Sequence, residues 1–383
     1  MIVKSGYKSV NGDYVFSKTQ QKVESFRKNN PKIKVIDLGV GDVKLPLAKP
    51  VAKSMQKAAR ALKHEKTFSG YPPDFGYIFL RNKISDYYKS LGAYVSPDEV
   101  FITGGAKPSL ADIVSLADFD RAFIHRPNYP LYSELCSAYG IEYVTANCPP
   151  ENYAGVAKEN DCDLCFVCSP CNPTGEVIGS GTLKKLCGYY KERGGIVVID
   201  AAYAFFNENY CPPFMTKAEE QTVIEVRTFS KSLSFTGVRC GFTVIKKQNP
   251  LYEPYKKLLS LKYNGVNVTA QRAAAVAFLP EMREEHARRR NYYRKNAELL
   301  AAPFVKHGYS FSGGAHVPYL LVNVNENGER FAEKLLEKAA VCVTPGEGFG
   351  ATNSIRISCL CTREAAVLGS ERLDKFLSGQ KPV

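Results

Sequence analysis

Lys231 lies in a segment whose residue types and spacing fit covalent amine chemistry. It stands between two serines in the run Thr-Phe-Ser-Lys-Ser (228–232), and Gly237, Arg239 and Gly241 follow. A lysine amine can form a Schiff base with the aldehyde of pyridoxal phosphate, while nearby hydroxyls and an arginine hold the phosphate. Taken alone, the run also fits an ordinary loop lysine. The residues upstream decide between these two interpretations.

Two turns upstream could hold the phosphate and the ring of such a cofactor. The run Gly-Gly-Ala-Lys (104–107) lies between a predicted strand and a predicted helix, where backbone amides and a helix N-terminus favour an anion. Tyr129, in Pro-Asn-Tyr-Pro, could stack on a planar ring. The alternatives are a plain tight turn and a packed loop tyrosine, since the chain has 23 tyrosines.

Three polar side chains lie at or after the ends of predicted buried strands. Asn172, held in a Cys-Asn-Pro turn, has an amide that can donate to a ring hydroxyl and to a substrate carboxylate. Asp200 ends an apolar run and can keep a pyridine nitrogen protonated, which makes the ring an electron sink. Tyr203 can hydrogen-bond the ring oxygen. The alternative for Asp200 is a cap on the next helix.

Arg356 lies in a second region of the chain, in the strand-like run Ser-Ile-Arg-Ile-Ser. Its flanking isoleucines predict a half-buried guanidinium, which needs an anion. The planar fork of a guanidinium matches an α-carboxylate. The alternative is a structural ion pair.

Strand-like and helix-like segments alternate from about residue 50 to about residue 270, a pattern typical of a mostly parallel sheet covered by helices. The predicted strands are 100–103, 121–125, 164–168, 195–200, 223–227, 318–323 and 354–358. The predicted helices are 108 onward, 132–139, 182–193 and one long helix from 267 towards 300. Ligands of such sheets bind beyond the carboxyl ends of the strands, which is where the polar residues above fall.

Size and charge limit the classes of function. The chain has 383 residues, 45% of them apolar, enough for one large or two moderate domains. Its net charge of +13 favours anionic partners, yet no reader motif or aromatic platform indicates nucleic-acid binding. The basic run 283–294 is predicted to be the solvated face of a long helix. The N-terminus lacks the apolar core of a signal peptide and no stretch could span a bilayer, so we expect a cytoplasmic protein.

Four of the 12 cysteines fall at intervals of three, an arrangement that resembles an iron–sulfur run. They are Cys162, Cys165, Cys168 and Cys171. Segment 163–168, however, is predicted to be a buried strand, on which side chains three apart point to opposite faces and cannot converge. We therefore favour reduced, buried thiols and predict no metal site.

Taken together, these motifs resemble those of the class I/II aminotransferases of the aspartate aminotransferase fold. The finer detail is most similar to the LL-diaminopimelate aminotransferase subgroup. The matching stretches are 38–43, 70–76, 235–239, 263–265, 313–319 and 344–350. The chain departs from the subgroup at several positions. It has Gly104 and Arg126 where the subgroup usually has Asp, Pro72 where the subgroup has Gly, and Cys171 where the subgroup has Asn. Its segment 148–161 is also shorter than in the subgroup. None of these departures touches the cofactor residues.

The resemblance implies an α/β three-layer sandwich with a mostly parallel sheet, joined to a smaller α+β domain. The large, pyridoxal-phosphate-binding domain would cover 46–272, and the small domain 1–45 and 273–383. It also implies a homodimer in which the partner's copy of Tyr71 completes each site.

The resemblance further implies a role for each matching residue. Lys231 would be the Schiff-base lysine and proton shuttle, Asp200 the partner of the pyridine nitrogen, and Tyr203 a partner of the ring oxygen. The other cofactor-binding residues would be Tyr71, Ala106, Lys107, Tyr129, Asn172, Ser230 and Arg239. The substrate-binding residues would be Tyr14, Gly41, Asp74, Lys107, Asn172, Asn264 and Arg356.

The function expected from this resemblance is transfer of an amino group between an amino acid and a 2-oxo acid. The expected pair is LL-diaminopimelate or tetrahydrodipicolinate with glutamate or 2-oxoglutarate, a step of lysine biosynthesis. The alternatives are another amino acid aminotransferase and a pyridoxal-phosphate-dependent C–S β-lyase. A further alternative is a cofactor-binding regulator without turnover, since a protein can keep a fold and lose its catalytic activity.

Overall fold

The computed structural model of the chain describes residues 14–380, so the N-terminal run used to judge a signal peptide lies outside them. The strands are β1 (Ile36–Asp37), β2 (Val100–Thr103), β3 (Arg121–His125), β4 (Glu142–Ala146), β5 (Leu164–Cys168), β6 (Ile196–Asp200), β7 (Val223–Thr228), β8 (Gly241–Ile245), β9 (Phe311–Gly313), β10 (Tyr319–Asn323), β11 (Val341–Cys342), β12 (Thr344–Pro345) and β13 (Ser354–Ser358).

Helices connect these strands. They are α1 (Val15–Asn29), α2 (Lys49–Ala61), α3 (Ile78–Ser90), α4 (Ala106–Val114), α5 (Leu131–Tyr139), α6 (Tyr153–Glu159), α7 (Ser180–Arg193), α8 (Lys217–Thr222), α9 (Tyr252–Lys262), α10 (Val268–Ala275), α11 (Met282–Lys306), α12 (Gly328–Ala339) and α13 (Arg363–Leu377). Short 3-10 turns lie at Glu65–Thr67, Pro97–Glu99, Pro150–Asn152, Ala204–Phe206, Val276–Phe278 and Gly346–Phe349. None of the helices within residues 14–380 is long and apolar enough to cross a membrane.

The central sheet has seven strands in the order β2-β8-β7-β6-β5-β3-β4. β8 is antiparallel to both of its neighbours, and every other neighbouring pair is parallel. β5 and β6 are buried along their whole length, which explains their continuous apolar sequence. The predicted α/β class with a mostly parallel sheet is confirmed, although β4 and β8 were absent from the predicted strands.

The two faces of this sheet carry separate apolar clusters, because successive side chains of a strand alternate between faces. Cys165 belongs to one cluster and Cys168 to the other. The prediction that these thiols point to opposite faces is confirmed. All 12 cysteines are free, and Cys211 is the exposed one.

A smaller antiparallel sheet, in the order β12-β13-β10-β9, lies beyond the large sheet. Its apolar residues share a core with Leu300 of α11 and Leu373 of α13. β1 pairs in parallel with β11, Ile36 opposite Val341, which ties part of the N-terminal segment to this region. The domain limits of 46–272, 1–45 and 273–383 stay a prediction.

The prediction of one long helix from residue 267 to residue 300 is wrong. α10 ends at Ala275, a 3-10 turn follows, and α11 begins only at Met282. Leu279 has the extended angles φ −80° and ψ 145°. Pro280 causes this break, because a proline disfavours helical angles in the residue before it.

The prediction that residues 283–294 form a solvated basic face is wrong for Arg289, which is 1% exposed. Its Nε donates to Glu285 at 2.7 Å. Its Nη1 donates to Ser234 Oγ at 2.9 Å and its Nη2 to the carbonyl of Pro46 at 2.6 Å. These acceptors meet the needs of the guanidinium, so the side chain can leave water.

The packing of α11 gives a stability prediction. Leu300 is 0% exposed in the small-sheet core, so Leu300→Ala should lower the free energy of unfolding by ~2–5 kcal/mol through lost burial and a residual cavity. Val305 on the same helix is 60% exposed, and Val305→Ala should change it by less than ~0.5 kcal/mol. Urea denaturation followed by circular dichroism measures both. Equal effects would contradict the core assignment.

Candidate active site

Five predicted site residues lie at one edge of the large sheet. Strands β2, β3, β5, β6 and β7 run in the same direction, so their carboxyl ends share that edge. The residues that follow or end them are, in the same order, Ala106, Tyr129, Asn172, Asp200 and Lys231. These five residues therefore lie at the same edge of the sheet, and their roles in a site stay a prediction.

The amine of Lys231 donates a hydrogen bond to the carbonyl of Gly41. Its partner is therefore a neutral backbone oxygen and not a carboxylate, which leaves the amine free to take a reacting partner. Gly41 has no room for a side chain, because a Cβ there would overlap the hydroxyl of Tyr319. Because residue 41 has no side chain, its backbone can pack against Tyr319 and place its carbonyl within hydrogen-bond distance of the Lys231 amine.

Asp200 is a buried carboxylate at the carboxyl end of β6. It accepts hydrogen bonds from the Tyr132 hydroxyl at 2.8 Å and from the Ala202 amide at 3.1 Å. Burial raises the pKa of Asp200, and these two bonds oppose the rise without cancelling it. A cation placed against this carboxylate would therefore be stabilised. A protonated pyridine nitrogen would be such a cation.

Tyr203 and Tyr319 face each other, with their hydroxyl oxygens 2.8 Å apart. Burial raises the pKa of Tyr203 well above its usual range, and the neighbouring Tyr319 adds to the rise. Tyr203 therefore keeps its proton at neutral pH and can donate it in a hydrogen bond.

Arg356 is 1% exposed, and no carboxylate within residues 14–380 forms an ion pair with it. Its Nη1 donates to Asn172 Oδ1 at 3.2 Å and its Nη2 to the carbonyl of Gly39 at 2.7 Å. Its Nε is buried and has no hydrogen-bond partner among residues 14–380. A structural ion pair, the alternative weighed from the sequence, does not form here. The buried cation calls for an anionic ligand.

Three aromatic rings enclose this guanidinium. Its central carbon lies 4.4 Å from the ring centroid of Tyr319, 4.7 Å from that of Phe349 and 4.8 Å from that of Phe16. The rings stabilise the cation through their negative faces and keep water away from it.

A cradle for an anion lies at the N-terminus of α4. Gly105 precedes this helix at φ +120° and has no side chain to cap the free amides. The exposed Arg239 lies beside it, since a Cβ on Gly105 would be 2.8 Å from Arg239 Nη2. Arg239 Nη1 donates to Ser230 Oγ at 3.4 Å, and Thr228 Oγ1 donates to the same oxygen at 2.9 Å. Amides at a helix N-terminus, a hydroxyl and a guanidinium brought together from different segments fit a phosphate.

Tyr14 and Lys107 extend the crevice toward solvent. The Tyr14 hydroxyl donates to the Tyr129 hydroxyl at 3.2 Å, and Lys107 Nζ lies 4.9 Å from the centroid of the Tyr14 ring. Lys107 is exposed, so its amine can meet an incoming anionic ligand. Burial raises the pKa of both tyrosines, that of Tyr129 well above its usual range.

Three predicted site residues stand apart from this group. Tyr71 is 85% exposed and Asn264 also lies at the surface. The two loops touch, because a Cβ on Gly265 would lie 3.0 Å from Pro72 Cβ. Asp74 is half-buried and lines a cavity with Gly104 and Arg239, on the flank of the anion cradle. Neither Tyr71 nor Asn264 hydrogen-bonds to another predicted site residue within residues 14–380.

The sequence reasoning missed several residues that hold the site together. Tyr132 supports Asp200, Tyr319 joins Tyr203 to Arg356, and the carbonyl of Gly39 anchors Arg356. The position of Tyr132, three residues after Tyr129 at the start of a helix, carried a usable signal. A backbone carbonyl such as that of Gly39 leaves none, because every residue has one.

Comparisons with known proteins give matches along almost the whole chain. The family described as aminotransferase class I and II matches residues 33–369. An LL-diaminopimelate aminotransferase of Desulfotalea psychrophila is 32% identical, covering 98% of this chain and 99% of its own length. One of Lachnospira eligens is also 32% identical, covering 97% and 98%. The solved L,L-diaminopimelate aminotransferase of Chlamydomonas reinhardtii superposes with a TM-score of 0.89 at 28% identity, covering 98% and 99%.

The contact between Gly41 and Tyr319 gives a prediction. Gly41→Ala should lower the free energy of unfolding by ~1–3 kcal/mol, because the added methyl must displace a packed tyrosine. Gly181, on α7, has open space at the same position, and Gly181→Ala should leave stability unchanged or raise it by up to ~1 kcal/mol. Urea denaturation compares the two, and a Gly41→Ala chain as stable as the parent would refute the close approach.

Proposed function

The chain belongs to the class I and II aminotransferases, and from that premise we propose that it binds pyridoxal phosphate and transfers an amino group from an amino acid to a 2-oxo acid. One observation carries the proposal above all: the unneutralised guanidinium of Arg356 and the amine of Lys231 donate to carbonyls of the same short segment, those of Gly39 and Gly41. The guanidinium can bind the carboxylate of an amino acid, and the amine can accept its α-proton.

The residues of the crevice fit this cofactor. The amide of Ala106, the Ser230 hydroxyl and Arg239 would hold its phosphate, with Lys107 nearby. The ring would lie against Tyr129, with Asp200 at its nitrogen and Asn172 and Tyr203 at its oxygen. Once bound, pyridoxal phosphate supplies an electron sink for negative charge that develops at the substrate α-carbon.

Lys231 is proposed to move the proton that transamination requires. Its Nζ would accept a proton from the substrate α-carbon as a general base and return it as a general acid. The carbonyl of Gly41, which accepts a hydrogen bond from this amine, would aim it in the resting state. Asp42, held ionised by Lys44 and Thr236 against the effect of burial on its pKa, lies close enough to interact with the Lys231 charge.

Arg356 and Asn172 are proposed to orient the substrate through its α-carboxylate. The Nη1–Oδ1 bond of 3.2 Å between them fixes both groups before a ligand arrives. Because aromatic rings surround the guanidinium, an ion pair formed there would be stronger than one in water.

We propose LL-diaminopimelate and 2-oxoglutarate as the amino donor and acceptor, or tetrahydrodipicolinate and glutamate in the reverse direction. The relatives with that name, matched along almost their whole length, support the choice. The net charge of +13 suits substrates with several carboxylates. Tyr14, Lys107, Asp74 and Asn264 are the side chains proposed to contact the distal end of the donor. A location in the cytoplasm is part of the same proposal.

A homodimer with shared sites completes the proposal. Tyr71 is a large aromatic side chain with 85% exposure, and Phe68 of the same segment is 66% exposed. Such side chains favour burial against a second chain. In a twofold dimer the partner's Tyr71 would reach the phosphate end of this chain's crevice.

Replacing the lysine tests the chemistry. Lys231→Ala should remove measurable transamination of LL-diaminopimelate with 2-oxoglutarate, since the proposed proton carrier is lost, while the far-ultraviolet circular dichroism of the chain stays unchanged. Lys191→Ala, at an exposed position on α7, is the matched control and should keep full activity. Near-normal turnover of Lys231→Ala would overturn the proposed function.

Mixing two inactive variants tests the shared site. A Tyr71→Ala chain and a Lys231→Ala chain, refolded together in equal amounts, form mixed dimers in which one site has both residues intact. Activity should return to about a quarter of the parent value, because half of the dimers are mixed and half of their sites are complete. No recovery, with mixed dimers shown by mass spectrometry, would place Tyr71 and Lys231 on the same chain.

A further inference from the structure

A second cavity opens between α3, the turn Ala204–Phe206 and the start of α11. None of the residues proposed above to hold cofactor or substrate lines it. Its wall includes Ala202, Thr228 and Ser232, which contact or adjoin the active-site residues Asp200, Ser230 and Lys231. The cavity therefore borders the loops of the active site without being part of it.

Arg227 lines this cavity with an unmet hydrogen-bond donor. Its side chain is 12% exposed, and its Nη1 is buried with no hydrogen-bond partner within residues 14–380. Nη1 forms an ion pair with Glu225 Oε1 at 3.7 Å, but the distance is too long for a hydrogen bond, and the two oxygens of Glu225 accept from the hydroxyls of Tyr88 and Tyr210. A buried guanidinium nitrogen in this state gains from an added acceptor.

His286 lines the same cavity with an unmet acceptor. Its Nε2 lies 2.9 Å from the carbonyl of Ala277, which can only accept, so Nε2 carries the proton of the neutral ring. Burial lowers the pKa of His286, which keeps the ring neutral at pH 7. The lone pair on Nδ1 is thus buried and, among the described residues, has no donor.

The rim of the cavity is cationic. Lys83 and Arg283 line it, and neither forms an ion pair within the described part of the chain. Two acids also line it: Glu208, which is bound by Arg290 at 3.2 Å and Arg294 at 3.6 Å, and the exposed Asp86. The three rim cations Lys83, Arg283 and Arg290 outnumber these two acids, so the rim attracts small anions.

Aromatic side chains form much of the remaining wall. Phe205, Phe229 and Phe278 line the cavity, and Tyr210 stacks its ring on the guanidinium of Arg227 at 4.7 Å. A ligand with a flat apolar body can pack on such a wall, whereas an inorganic anion cannot.

We propose that this cavity binds a small aromatic carboxylic acid that also carries a hydrogen-bond donor. The carboxylate would accept from Arg227 Nη1, the ring would pack against the phenylalanines, and the donor would reach His286 Nδ1. Because Thr228 and Ser232 form part of the wall, the bound acid would contact the segment that carries Lys231. The proposal stands independently of the function proposed above.

Calorimetric titration of the cofactor-loaded protein with 4-hydroxyphenylacetate tests the proposal, since this acid has no amino group to transfer. We expect about one site per chain. Phenylacetate, which lacks the hydroxyl, should bind about five- to tenfold more weakly, because the acceptor on His286 is left unmet. p-Cresol, which lacks the carboxylate, should give no measurable binding.

Substitutions separate this cavity from the active site. Arg227→Met should weaken binding at least ~30-fold, and Arg283→Ala, at the exposed rim and independent of core packing, about fivefold. Arg356→Lys in the active site and Lys295→Ala, an exposed control on α11, should leave the affinity within about twofold. No binding, or binding lost with Arg356→Lys but kept in both cavity variants, would overturn the proposal.

Discussion

The guanidinium of Arg356 is a buried positive charge to which three parts of the chain are fitted. Asn172 reaches it from the large sheet, Gly39 from the N-terminal segment, and the rings of Tyr319 and Phe349 from the smaller sheet region. Burying a charge without an opposite charge costs several kcal/mol on the order-of-magnitude scale of ion desolvation. The hydrogen bonds and ring contacts offset part of that cost, and an anionic ligand would offset more.

A second buried charge, of opposite sign, lies across the crevice at Asp200. It accepts hydrogen bonds from two donors, no cation within residues 14–380 forms an ion pair with it, and burial raises its pKa. The fold thus buries a cation and an anion, and neither has an ion-pair partner among the described residues. An amino acid carboxylate and a protonated ring nitrogen would complete them, and such prearranged charges are the largest common source of catalytic stabilisation.

Much of this arrangement could be predicted from the sequence because apolar strands end in polar residues. The runs that became β5 and β6 are apolar throughout, and Asn172 and Asp200 follow from where those runs stop. The inward turn of Arg289 could not be predicted, because two of its acceptors, Ser234 Oγ and the Pro46 carbonyl, are distant in sequence. The role of the Gly39 carbonyl was equally hidden, since it depends on how the N-terminal segment crosses the sheet edge. Pro280 indicates the break before α11 in the sequence. The basic, helix-like run after it favoured the prediction of one continuous helix.

The visible absorption spectrum of the cofactor-loaded protein, recorded before and after addition of LL-diaminopimelate alone, tests the central claim most directly. If Arg356 and Lys231 receive this amino acid as proposed, its addition will bleach the band of the bound aldehyde cofactor, and 2-oxoglutarate will restore it. A band that persists with LL-diaminopimelate but is bleached by another amino acid would contradict the substrate. A band that no amino acid changes would contradict the account of the site itself.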